Sequence, residues 1–421
     1  MNLAMISLIA LLLAIALGYF KNMNVGIVSI ALSMILGLLF DIKAKELLKG
    51  FSSSLFFQMA GITFLFGIVK ANGTLELSAK KIIRLVGTNP VVISIAMFLI
   101  GAVLSAVGPG AIPCLAIIPV IAIPIAVSVG INPIMLSCIG DLGVQATRMS
   151  PLTPEAAVVR NLMEEQGIES GTVPLMIALA ITCVILAVIL FIYYKGYKPD
   201  TTAVSAKQEE LPKLSAQQIA SLLGLLVLAV GVLFFSFNVG FAGFTIGTVL
   251  VLLGAGNDKD AIKAVPWNVI FMVIGVGILM NIITISGGID LMVAALEKVL
   301  SAKTASCGMG ILAGIMSFFS SGLGVVFPTL IPTAGELATG LGADPVEICA
   351  AIVIGGTVTG YSPISTAGAL MMAGVAQQEN AEERFPSKKI FVELFAVAFI
   401  ALAILAILAI VGVYGFAVGL A

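Results

Sequence analysis

Two short runs of hydroxyls beside proline carry most of the chemistry this chain can offer. The first is Ser150-Pro151-Leu152-Thr153-Pro154 and the second is Ser362-Pro363-Ile364-Ser365-Thr366. Neutral hydroxyls at a helix interruption can accept a small cation or donate to an anion. The chain around them also repeats. Gly130, Pro133, Gly143, Thr147, Ser150 and Pro151 return 212 positions later as Gly342, Pro345, Gly355, Thr359, Ser362 and Pro363. Two apolar segments interrupted at matching places point to a transport site at a repeat interface. A single such motif would read as Ser and Thr satisfying their own kinked backbone. Duplication at one register favours a binding role.

Charged residues near these breaks are few. Arg148 lies two positions before Ser150 in a neutral stretch, and its counterpart is Gly360. Arginine in a membrane region faces protein or water, and its planar fork suits a substrate carboxylate. Asp141, seven positions earlier, shares its helical face. Three readings of Arg148 stand open: an Asp141–Arg148 pair neutralising both charges, direct substrate contact, and a place near the aqueous edge. Asp141 is also the candidate coupling residue, for a cation or a proton. Glu155, just after Pro154, fits a capping role in the first turn of its own helix as well as a coupling role.

The elements that position these residues follow from composition. Of 421 residues, 60% are hydrophobic and 10% charged, with a mean hydropathy of +1.17. Soluble domains carry about a quarter charged residues, so the chain is expected to be an all-α polytopic membrane protein. His is absent, which removes imidazole metal sites and histidine bases. With no nucleophile–base pair, no enzyme is expected. Cys114, Cys138, Cys183, Cys307 and Cys349 stand singly in apolar runs and read as small buried hydrophobes.

Candidate full spans are 3–20, 23–40, 55–71, 172–194, 219–237, 240–254, 267–285 and 390–416. The 240–254 run is short, so its helix is expected to begin earlier or tilt little. Residues 90–128 are cut by Gly108-Pro109-Gly110, and residues 304–335 by Ser320-Ser321-Gly322-Leu323-Gly324. Both read as re-entrant helical hairpins, because non-helical backbone at membrane depth needs protein or a wet cavity around it. Residues 131–160 and 343–373 read as broken helices. The expected architecture has inverted structural repeats: 1–194, a 195–217 linker, and 218–421, with about ten full spans plus two hairpins.

The linker holds four lysines and is placed in the cytoplasm, as are loops 72–89, 255–265 and 374–389. Loops 41–54, 161–171 and 286–303 then lie outside, as do both termini. Within 72–89, Ala79, Ile82, Ile83 and Val86 share one face, away from Lys80, Lys81 and Arg84, which fits a short surface helix. The first residues, MNLAMISLIALLLAIALGYF, read as a retained span.

These motifs resemble the ion transporter superfamily of secondary carriers, in particular bacterial malonate/dicarboxylate carriers of the MatC type and, more distantly, divalent-anion/sodium symporters. The resemblance implies substrate between hairpin tips and helix breaks, Na+ sites beside each hairpin–break pair, homodimers in the bacterial inner membrane and elevator-like transport. One implied cluster is Ser105, Gly108 and Gly110 with Ser150 and Thr153. The other is Ser321, Gly322 and Gly324 with Thr359, Ser362, Ser365 and Thr366. The implied Na+ neighbourhoods are Gly108, Ser150, Thr153, Gly324, Ser362 and Ser365. The sodium/dicarboxylate relatives carry Ser-Asn-Thr at each tip, which this chain lacks. The resulting expectation is Na+-coupled import of a small organic anion such as a dicarboxylate, with no covalent cofactor and no nucleic-acid partner. A cation/proton antiporter with Asp141 in its ion site is the alternative.

Overall fold

The computed structural model describes all residues except 1–2, 22, 52, 76, 79–80, 82–86, 88, 108–109, 200–210, 236, 320, 363–366, 369–370, 373–374, 376–384 and 421. Every regular element among the described residues is helical. The first half runs α1 (Leu3–Lys21), α2 (Val25–Leu39), α3 (Ser53–Ala71), the hairpin arms α4 (Pro90–Ala106) and α5 (Ala111–Val129), then α6 (Pro133–Ala146), α7 (Pro154–Glu164) and α8 (Val173–Tyr193). The second half runs α9 (Ala216–Phe235), α10 (Val239–Leu252), α11 (Trp267–Ile285), α12 (Ala305–Phe319), α13 (Ala334–Leu341), α14 (Pro345–Val358), α15 (Ser387–Ile410) and α16 (Val413–Val418).

Local chemistry explains where these helices start and stop. Asn24 and Asn238 cap α2 and α10, each accepting from the second and third following amides. Asn132 and Asp344 cap α6 and α14, both followed by proline in the first turn. Such caps satisfy N–H groups that would otherwise be orphaned. Gly130 and Gly342 end the preceding helices in the left-handed conformation that glycine tolerates best.

Three described helices, Val173–Tyr193, Trp267–Ile285 and Lys389–Ile410, are long and apolar enough to cross a bilayer, and ten further helical stretches are apolar but shorter. Large apolar side chains, among them Leu12, Leu38, Phe234 and Leu252, face outward. That is the surface of a protein whose solvent is lipid.

Several sequence expectations change in detail. The helix in 240–254 starts at Val239 and is only 14 residues long, because Asn238 caps it there. The 390–416 span ends at Ile410, where left-handed Gly412 turns the chain into α16. The second hairpin is less regular than the first: after α12 come a π-turn at Gly322–Val326, a helical turn at Phe327–Leu330 and a 3-10 turn at Ile331–Thr333. Pro328 and Pro332 remove backbone donors along this stretch. Most of the expected surface helix in 72–89 lies outside the described residues.

Helix packing falls into two groups. In one, α2 packs on α11 and α10 packs on α3, so each half lends a helix to the other. Glycines make both crossings possible. A Cβ on Gly275 would collide with the Gly26 carbonyl oxygen, and one on Gly61 would collide with that of Gly240. Polar contacts are equally reciprocal. Ser7 Oγ lies 2.7 Å from Ser286 Oγ, and Asn72 donates to Ser221 Oγ at 2.8 Å. In the other group α4 packs on α6 and α12 packs on α14. There Thr147 donates to the Ala102 carbonyl at 2.7 Å and Thr359 to the Gly314 carbonyl at 3.1 Å.

These crossings generate a stability test. Gly275→Val should cost about 1–3 kcal/mol by overpacking against backbone that cannot yield. Thermal unfolding of purified protein should show a clearly lower midpoint and yield. Gly224→Ala, where an added Cβ meets only the flexible ends of the Ile246 and Leu250 side chains, at 3.0 and 3.5 Å, should leave both nearly unchanged.

Candidate functional site

The first helix break is tied into a compact turn. Thr153 Oγ1 accepts from Ala156 N and donates to the Arg148 and Ser150 carbonyls at 2.7 and 2.9 Å. Ser150 Oγ donates to the Ala106 carbonyl at the end of α4, at 2.9 Å. Thr359 in the second half donates to the Gly355 and Gly314 carbonyls. Ser321 Oγ accepts from Gly324 N at 3.1 Å. The predicted hydroxyls thus shape the breaks and pin them to hairpin arms. Ser105 differs, since its buried hydroxyl has no hydrogen-bond partner. Gly322 rests against the Gly356 backbone, and Gly324 against Met272 of α11. Ser362 is buried within the second break. Gly108, Ser365 and Thr366 lie outside the described residues.

Arg148 is 7% exposed and reaches four elements. Its Nη1 donates to Thr357 Oγ1 of α14 at 3.3 Å and to Gln145 Oε1 of α6 at 3.5 Å. Its Cζ lies 5.6 Å from the centre of the Phe327 ring beyond the second hairpin tip. Its Nε faces Glu155 Oε1 of α7 at 3.9 Å. Charge-assisted hydrogen bonds are normally about 2.7–2.9 Å, so each of the three polar contacts is long. The guanidinium is surrounded but loosely held, and its Nε has no hydrogen bond. A planar donor in this state can turn its fork to an entering carboxylate.

The Asp141–Arg148 pair considered from sequence does not form, because Arg148 sits at the break, where the chain turns away from the α6 helical register. Glu155 is its anion instead. Thr153 is the N-cap of α7, with Glu155 in its first turn, and the Glu155 carboxylate also accepts from Ala111 N at 2.8 Å, in the first turn of α5. Gly110, at φ +72°, has no room for a side chain because the Glu155 carboxylate stands over it. Asp141 is fully buried, and neither carboxylate oxygen has a hydrogen-bond partner. Tyr361, whose buried hydroxyl also lacks a partner, is close enough to feel the charges of Asp141 and Arg148. Among the described residues, Asp141, Arg148 and Glu155 are the only charged side chains that are buried.

Thr357, Phe327 and Tyr361 were not singled out from the sequence. Thr357 occupies the repeat position of Gln145 and Tyr361 adjoins Ser362, so the repeat offers a signal for those two. Phe327 carries none, since one more phenylalanine in an apolar run is ordinary.

Residues 1–148 match the family model described as "Dicarboxylate carrier protein MatC N-terminus". Over those residues the chain is similar to MatC-type carriers. The matched segment covers α1 to α6 and ends on Arg148. Two solved structures share the fold. The YdaH transporter of Alcanivorax borkumensis is 13% identical, with a TM-score of 0.56 over 90% of this chain and 89% of that one. MtrF of Neisseria gonorrhoeae, described with a class of antimetabolite efflux pumps, is 15% identical, with a TM-score of 0.52 over 89% and 84%. A comparison with curated proteins gives no match. The MatC-type resemblance read from sequence therefore holds over the first third, and the chain shares the fold of two solved membrane transporters.

Removing one partner of a buried ion pair costs about 3–5 kcal/mol because the other charge is stranded. Arg148→Ala should therefore reduce purified yield. Adding Glu155→Gln should restore it, whereas adding Asp141→Asn should not. Yield and thermal midpoint across the three variants check which acid is the true partner.

Proposed function

We propose that the protein is a secondary active transporter importing a small organic anion, a dicarboxylate such as malonate or a C4 acid, coupled to a cation. The observation that carries this reading is the loosely held guanidinium of Arg148, buried where both helix breaks and the second hairpin converge. A carboxylate there would replace contacts of 3.3–3.9 Å with short bidentate ones. The similarity of residues 1–148 to the dicarboxylate carrier MatC supports the same substrate class.

Charge balance supports the coupling. Arg148 and Glu155 offset each other, leaving Asp141 buried without a counter-charge. A buried carboxylate is stable only when paired, bound to a cation or protonated. Asp141 is thus our coupling residue, with Na+ as its cation and the hydroxyls and backbone near Gly110, Ser150, Thr153, Gly324 and Ser362 as further Na+ neighbourhoods.

The reciprocal contacts support a pseudo-two-fold relation between 1–194 and 218–421, with about ten spans and two hairpins. On this reading α1–α3 and α9–α11 form a fixed scaffold and the dimer contact. The hairpins and breaks move as an elevator within the bacterial inner membrane, with the 195–217 linker in the cytoplasm and both termini outside. The bare carboxylate of Asp141 equally motivates the second reading, a cation/proton antiporter that needs no organic substrate.

Uptake of labelled malonate and C4 dicarboxylates into proteoliposomes, under imposed Na+ or proton gradients, separates the two. Import is expected to follow the Na+ gradient. Arg148→Lys should raise KM about tenfold, the scale of one lost bidentate contact, and Asp141→Asn should abolish gradient-driven accumulation. Cation-driven pH changes lost in Asp141→Asn, without organic-anion flux, would favour the antiporter.

A further inference from the structure

Arg148 is the one cation of its kind at the breaks, since the repeat puts Gly360 at the matching position. Gln145 and Thr357 occupy equivalent positions in the two halves, yet both accept from the same nitrogen, Nη1, at 3.5 and 3.3 Å. Glu155 Oε1 stands 3.9 Å from Nε. No polar contact is therefore short enough to fix the plane of the guanidinium. That plane matters, because a carboxylate takes two parallel N–H bonds only in the plane of the fork. The remaining contact is aromatic: the Phe327 ring, whose centre lies 5.6 Å from Cζ.

The ring is held more firmly than the guanidinium. Phe327 is fully buried and opens the helical turn Phe327–Leu330, its amide donating to the Gly322 carbonyl of the preceding π-turn. A Cβ on Gly356 of α14 would stand 2.7 Å from the ring's Cε1, so glycine there is what admits the ring. The Gly356 carbonyl is itself fixed by Ser317 Oγ of α12, which donates to it at 3.0 Å. A Cβ on Gly322 would collide with that same oxygen. The next residue along α14 is Thr357, which holds Nη1. Two adjacent residues of one helix thus seat the ring and the guanidinium against each other. A cation over an aromatic face is attracted by the ring quadrupole, most strongly where water is excluded. The negative face of the ring turns anions away, so a carboxylate must come to the edge of the fork and not to the face that the ring covers.

We propose that Phe327 is a positioning residue for substrate: its ring sets the plane of the Arg148 guanidinium and closes one face of it, so that the fork is presented edge-on to the entering carboxylate. The inference rests on the organic-anion reading above and names the group that gives Arg148 its orientation. An aliphatic side chain of similar bulk would fill the space but leave the plane free to turn. Loss of the aromatic face should therefore weaken anion binding and leave movement of the loaded carrier unaffected.

The test measures dicarboxylate uptake by the full-length carrier in proteoliposomes, under the gradient that drives wild-type uptake. Phe327→Leu keeps apolar bulk without an aromatic face. It should raise KM about tenfold, the scale of a desolvated cation–π contact, with the maximal rate within about twofold of wild type. Fluorinated phenylalanines placed at position 327 keep the ring's shape while draining its negative face. KM should climb with each added fluorine while the thermal midpoint stays constant, and this series decides the matter alone if Phe327→Leu is recovered in low yield. A double-mutant cycle shows whether the ring acts through the guanidinium. Lysine has no plane to orient, so Phe327→Leu added to Arg148→Lys should change KM by less than about twofold. A KM unchanged across the fluorinated series, or a full effect of Phe327→Leu persisting beside Arg148→Lys, would overturn the proposal while leaving anion transport intact. Absence of dicarboxylate uptake by the wild type would instead sink the organic-anion reading and this inference with it.

Discussion

A guanidinium in the interior of a membrane protein needs an anion within reach, and this need organises the centre of the molecule. Arg148 takes its counter-charge from Glu155 on the far side of a proline break, and so the break itself is fixed. Glu155 in turn holds the start of α5, the second arm of the first hairpin. Phe327 and Thr357 complete the surround from the second half. Three breaks in regular structure meet at one charge. Each would be costly alone in lipid, where unsatisfied backbone has no water to turn to.

Two kinds of contact divide the labour. Helices α2, α3, α10 and α11 cross backbone to backbone through glycine, a geometry that leaves little room to adjust. Around the breaks, threonine and serine hydroxyls bond to carbonyls of the hairpin arms. Hydrogen bonds of this kind exchange partners more easily than interlocked backbones separate. A rigid frame and an adaptable centre are what the proposed elevator motion would require.

Much of this was legible in the sequence. Hydropathy placed the apolar helices to within a few residues, with α11 at 267–285, because lipid demands long apolar runs. The repeat marked Thr147 and Thr359, and also Gly130 and Gly342, left-handed helix ends whose geometry depends on local residue type. What the sequence hid was long-range. Arg148 has two acids within seven positions, Asp141 and Glu155, and helical spacing favoured the first. The chain turns at Thr147–Thr153, so the register that recommended Asp141 ends at Ala146, two residues before Arg148. The irregular second hairpin was equally hidden, since prolines tell where a donor is missing but not what replaces it.

The exchange of helices between halves bears on how the chain is made. The face of α2 that carries Gly26 meets α11, and the face of α3 that carries Gly61 meets α10. Both surfaces emerge from the ribosome more than 170 residues before their partners. During that interval the first half has inserted helices with glycine-lined grooves that nothing yet fills. Contacts so distant in sequence form late, and species with exposed docking faces associate wrongly. The lipid bilayer and the membrane insertion machinery must hold these helices apart until the second half arrives, so that the frame closes only once the chain has been synthesised through Ile285 of its 421 residues.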